Sequence, residues 1–236
     1  MREYKTPSPN RQHRDYRLPL IATINVSAPL TASFQFRAGT VANSPVLLPL
    51  PDRGTTLRSL LRFCRRACPG VPILIPRIEK LRSGAPIDND MIADCLSLLI
   101  AEAVKAHGLS MIPIIVVGHA DGADLAAQLA LRHGSLLAAC ILLLPATEAS
   151  NVPLATLDGL HILVIVSGCK EGCVSAGQQI SNVLEELGAA VICERVPPRR
   201  SLGPCETAIA RVFIAALFGE DWPPRFARMV LPGDVL

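Results

Sequence analysis

The sequence predicts an α/β domain with a mostly parallel central sheet of about eight strands and helices on both faces. Three observations lead there. From residue 45 onward short apolar runs alternate with amphipathic segments, the pattern of a parallel sheet covered by helices. The chain has 236 residues and is 50% hydrophobic, enough for one large α/β domain or two small ones, which excludes disorder and collagen. Its longest apolar runs, such as LLAACILLLPA and IPIIVV, fall short of the roughly 18 residues of a membrane helix, so they read as buried strands.

Residues 1–17 set Arg2, Lys5, Arg11, Arg14 and Arg17 against Glu3 and Asp15, and Pro7 and Pro9 interrupt any helix; a flexible arm is expected. The stretch 18–34 is too diluted by Thr23, Asn25, Ser27, Pro29 and Thr31 for a signal peptide and suits short strands. Segments 21–27 and 31–37 read as an antiparallel pair on the sheet edge. The following strands are expected at 45–50, 71–75, 112–117, 138–144, 161–166 and 190–195. Helices are expected at 56–66, 89–106, 121–132, 174–187 and 206–218. The last carries Ile209, Val212, Phe213, Ala216 and Leu217 at helical spacing, which reads as a core stripe. The domain thus spans 18–218. Segment 219–236, Pro-rich and holding the only Trp, Trp222, is expected to pack on it as a C-terminal tail.

Charge and cysteine content narrow the function classes. Lys and Arg number 23 against 20 Asp and Glu, and a net +3 spread over a domain gives no reason to expect nucleic acid as a partner. Eight cysteines in so apolar a chain need not be disulfide staples; Cys95 and Cys140 fall on buried positions, and a cytoplasmic location is expected. Cys64/Cys68 and Cys169/Cys173 have three intervening residues where zinc knuckles have two, so neither metal nor cofactor is expected. Of the five histidines, His13 lies in the arm, His107 and His133 at helix ends where a cation suits the dipole, and His161 at a strand start. His119 alone stands at a strand-to-helix junction.

That junction, IIVVGHADGADLAAQLA over residues 114–130, is a buried strand, a turn bounded by Gly118 and Gly122, and a helix. The turn resembles the nucleophile elbow G-x-S-x-G of the α/β-hydrolases. From about residue 45 to 218 the chain resembles the phospholipase/carboxylesterase branch of that superfamily, close to the dienelactone hydrolases. VLLPLPDRGTTLRSLLRFCRRACPGVPILIPR is similar to its strand, oxyanion loop, helix and next strand. LHILVIVSGCKEGCVSAGQQISNVLEELGAAV is similar to the strand, acid loop and helix, and ERVPPRRSLGPCETAIARVFIAALFG to the last strand, histidine loop and closing helix. The resemblance implies the α/β-hydrolase fold.

Position by position, it also implies a degenerate triad. Ala120 occupies the nucleophile place, Glu171 the acid place, and Arg200, or Arg199 after a shift of one, the histidine place. An alanine methyl cannot attack a carbonyl, and a guanidinium that stays protonated cannot serve as general base. The oxyanion loop has Pro51-Asp52 in place of His-Gly, and a carboxylate there opposes the charge that the loop should stabilise. Arg53, Asp52, His119 and Asp121 would line the loop and pocket. An engineered Ser-to-Ala change would explain Ala120 but not Arg200 or Pro51-Asp52.

The expected function is therefore that of a carboxylesterase-like pseudohydrolase that binds a small apolar or ester-like ligand, a protein partner or a second copy of itself. The alternative is an active ester hydrolase with a non-standard nucleophile. Asp121 is its candidate, although shifting the elbow by one residue would put bulky His119 where a small residue is required. Asp121 and Asp124 have a simpler role in a helix first turn, facing the positive end of the dipole.

Overall fold

Val, Ile and Leu concentrated in short runs become strands, and the same residues at helical spacing become the inner faces of helices. The computed structural model describes residues 21–25, 30–41, 44–52, 56–80, 88–109, 112–146, 156–168, 171–197 and 202–219. The expected arm, the tail beyond 219, Arg53, Cys169, Arg199 and Arg200 lie outside the described residues, as do the side chains of Glu171 and Cys173.

Among the described residues eight strands form one sheet: β1 (Ile21–Asn25), β2 (Leu30–Arg37), β3 (Val46–Leu50), β4 (Ile73–Lys80), β5 (Ile114–His119), β6 (Ala139–Leu143), β7 (His161–Ser167) and β8 (Ala190–Val196). Their spatial order is β1-β2-β4-β3-β5-β6-β7-β8. The β1/β2 and β2/β4 pairs are antiparallel and the rest parallel, so the expected edge hairpin sits where the sequence put it. Strand β4 runs to Lys80, beyond the expected end at 75, because β2 pairs with it from Leu30↔Lys80 to Arg37↔Ile73.

Among the described residues five α-helices cover the faces: α1 (Leu57–Ala67), α2 (Asn89–His107), α3 (Asp121–His133), α4 (Glu171–Glu186) and α5 (Pro204–Phe218). Side chains of successive strand residues point to opposite faces, which divides the core in two. Leu48, Val116, Leu142 and Val164 meet Leu96, Leu99, Leu129 and Leu184 of α2, α3 and α4. Leu47, Ile115, Ile141 and Ile165 meet Leu60, Phe63, Phe213 and Ile214 of α1 and α5. Caps fix the helix starts. Thr56 accepts from the Ser59 N–H, Asp88 from the Met91 N–H at 2.8 Å, and the Glu206 carboxylate from the Gly203 N–H at 2.9 Å. Pro204 at the first helical position, where a missing N–H costs nothing, starts α5 two residues before the expected 206.

One helix face departs from the sequence expectation and one helix end does not. His107 stands in the last turn of α2 beside Lys105, where it was expected. It stacks on Phe36 with centroids 4.3 Å apart and meets Phe34 edge-on, and burial pushes its pKa down. The α5 stripe, by contrast, is not core throughout. Phe213 is buried, but Val212 is 45% exposed, and the buried face of α5 runs instead through Ala210, Phe213 and Ile214. At its end of the sheet β8 has no further strand beside it, so one side of the stripe has nothing to pack against among the described residues.

Candidate functional site at the β5 elbow

Strand β5 passes into α3 through a single residue, Ala120, at φ 48° and ψ −118°. An L-residue with a Cβ rarely adopts this conformation, which costs on the order of 1–3 kcal/mol. The two glycines explain how the turn can be so tight. A Cβ on Gly122 would lie 1.9 Å from the Leu50 carbonyl oxygen, and one on Gly118 would lie 2.2 Å from the Gly122 oxygen. The turn therefore presses its backbone against the end of β3, which only residues lacking a Cβ allow. Hydrogen bonds hold it: the Ala120 N–H donates to the Leu143 carbonyl at 2.8 Å, and the Ala120 carbonyl accepts from the N–H groups of Ala123 and Asp124 at 2.7 and 3.1 Å. Leu144, just past β6, is the other described non-glycine residue at positive φ, 54°.

The elbow stands at the carboxyl ends of the parallel strands. Strand β3 lies between β4 and β5, so the chain reverses its direction of winding at this strand. Crevices at such reversals are the usual ligand sites of open α/β sheets. Here the end of β3 supplies Asp52 and the end of β5 supplies His119, with His119 Nδ1 3.6 Å from Asp52 Oδ2. Their side chains are 12% and 15% exposed, so water screens the pair only weakly. Burial pushes the His119 pKa below 6.5, and the Asp52 carboxylate only partly offsets this. Of the two ring nitrogens, Nδ1 is the one that faces the carboxylate.

The structure thus brings Asp52, His119, Ala120 and Asp121 together around one turn. Asp121 is exposed and is the first residue of α3, one position beyond the apex. Asp124, in the same first turn, accepts the Ala146 N–H at 3.0 Å and ties α3 to the segment after β6. Glu171 is the first residue of α4, past the end of β7. Arg53 and Arg200 lie outside the described residues. Arg195, near the end of β8, lies over Gly168, where a Cβ would be 3.2 Å from its Nε. The resemblance had grouped Asp52 and His119 around one pocket without pairing them; the register between β3 and β5, with Leu50 opposite Gly118, brings them into contact.

Among the described residues no group of three or more His, Cys, Asp or Glu side chains is placed to hold a metal ion. Cys64 and Cys140 are fully buried, and burial pushes each thiol up to about 12, which makes thiolate chemistry at either unfavourable. No described helix is long and apolar enough to cross a membrane.

No family profile and no curated protein matches the chain. Solved structures do. A carboxylesterase from Bacillus cereus superposes with a TM-score of 0.68 at 19% identity, over 79% of this chain and 95% of that one. A carboxylesterase from Mesorhizobium loti gives 0.64 at 22% identity, over 84% and 98%. A phospholipase/carboxylesterase from Dyadobacter fermentans gives 0.58 at 18% identity, over 77% and 95%. Likeness at this identity speaks for architecture, and together with the strand order and the elbow it establishes that the chain has the α/β-hydrolase fold.

Proposed function

We propose that this chain is a carboxylesterase-like protein that keeps the hydrolase scaffold without its ester-cleaving chemistry and works by binding a small apolar or ester-like ligand or a protein partner. The observation that carries the reading is the strained turn with a methyl group at its apex. A conformation that costs free energy persists where the surroundings over-determine it, and in this fold it serves to expose a nucleophile. Ala120 retains the strain and offers no nucleophile.

The other site residues agree with this reading. Arg200, at the histidine place of the resemblance, would remain a cation and could neither accept nor return a proton. The Asp52 carboxylate, at the oxyanion-loop position, pairs with His119 instead of leaving room for a developing anion. His119, with its Nδ1 facing the Asp52 carboxylate, has its other ring nitrogen, Nε2, to hydrogen-bond a ligand beside the apex. Glu171 and Arg200, if they meet, would close the former acid and histidine loops with an ion pair.

The test is turnover of p-nitrophenyl esters together with fluorophosphonate labelling of the purified full chain. The expected result is a rate equal to buffer and no label. Turnover that disappears in Asp121→Ala would overturn the proposal in favour of an active esterase with an aspartate nucleophile.

A further inference from the structure

The five apolar residues that read as a core stripe on α5, Ile209, Val212, Phe213, Ala216 and Leu217, form one wall of an open groove of about 390 Å³. The opposite wall is made by β7 and β8, chiefly Leu163, Ala190, Val191 and Ile192, with Glu194 as the charged lining residue. Ile192 and Val212 are 48% and 45% exposed, and among the described residues β8 is the last strand of the sheet and nothing pairs with its outer edge. Such an edge invites association unless something covers it.

We propose that residues 220–236 of this same chain cover the groove, with Trp222 and Phe226 seated between α5 and β8. Three observations favour this occupant. The segment leaves from the last turn of α5, whose Ala216 and Leu217 are themselves part of the wall, so little loop-closure entropy opposes docking. Its length suffices: the groove runs along β8 from Ala190 to Glu194, about 13 Å at 3.3 Å per residue, close to the extended separation of Trp222 and Phe226. Its chemistry matches as well. Trp222, Phe226, Met229, Val230 and Leu231 supply apolar bulk, and Arg225 and Arg228 offer partners for Glu194. Pro223, Pro224 and Pro232 lack the N–H groups a ninth strand would need, so the segment covers the edge with side chains and does not extend the sheet.

Trp222 is the only tryptophan, so its fluorescence in the full chain reads the proposal directly. The expected result is blue-shifted emission and weak acrylamide quenching, both independent of protein concentration. Ile192→Glu and Val212→Glu alter exposed positions and should each red-shift the emission and raise quenching several-fold while far-ultraviolet circular dichroism stays unchanged. Freely quenched Trp222 in the unmodified chain, or shielding that both variants leave intact, would overturn the proposal. Shielding that appears only as the protein dimerises in sedimentation velocity would also overturn it and assign the groove to a second copy.

Discussion

Ala120 is where a single residue has the largest measurable consequence. Its φ of 48° is strained for alanine but accessible to glycine, so Ala120→Gly should stabilise the fold. After the entropy cost of glycine the expected gain is about 1 kcal/mol in urea denaturation. A loss of stability would mean that the turn is not held under strain. The flanking glycines predict the opposite sign. Gly122→Ala places a methyl against the Leu50 carbonyl and should cost about 1–3 kcal/mol or prevent folding. His119 contributes a pH dependence. Its folded-state pKa lies below the 6.5 of free imidazole, so the unfolded chain takes up the proton first. Stability is therefore complete above about pH 6.5 and falls as the pH drops from there toward the lower folded-state value. Because His107 is shifted in the same direction, the check is residue-specific: the His119 ring resonance followed by NMR should titrate below 6.5, and His119→Gln should flatten part of the acid limb.

Between elements, the contact of α2 with α3 rests on an exposed polar clamp as well as on leucines. Arg132 of α3 donates to both carboxylate oxygens of Asp94 on α2, Nε to Oδ1 at 2.9 Å and Nη2 to Oδ2 at 2.8 Å, and His133 Nε2 lies 2.7 Å from Oδ1. The clamp holds the Asp94 carboxyl below its usual range, chiefly through the Arg132 hydrogen bonds. A depressed carboxylate pKa stabilises the fold above its unfolded value near 3.8, and that contribution is lost as the pH falls below it. With 44% of the Asp94 side chain exposed, solvent screens the pair, so Asp94→Ala should cost only about 1 kcal/mol. That cost should shrink in high salt during chemical denaturation. A cost several times larger, insensitive to salt, would show that the helix contact depends on this residue in another way.

Across the molecule, the fold was legible because each level of the sequence agreed: apolar runs of strand length, caps such as Asp88 and Thr56, and glycines where backbones touch. The elbow was legible for a steric reason, since the required absence of a Cβ at Gly118 and Gly122 leaves a mark in the sequence. That Asp52 and His119 share a pocket was legible only through the resemblance, and their pairing left no local mark, because strand order and register create it. The α5 stripe misled because an apolar face records that a helix needs cover but not what supplies it. The proposed function holds that the scaffold lacks its chemistry, and restoring the missing groups tests that most directly. Esterase turnover should be measured in parallel on the unmodified chain and on the Ala120→Ser, Arg200→His double variant. The account predicts the buffer rate for the former and a rate clearly above it for the double variant. An unmodified chain that already hydrolyses the ester, at a rate that the double substitution does not raise, would contradict it.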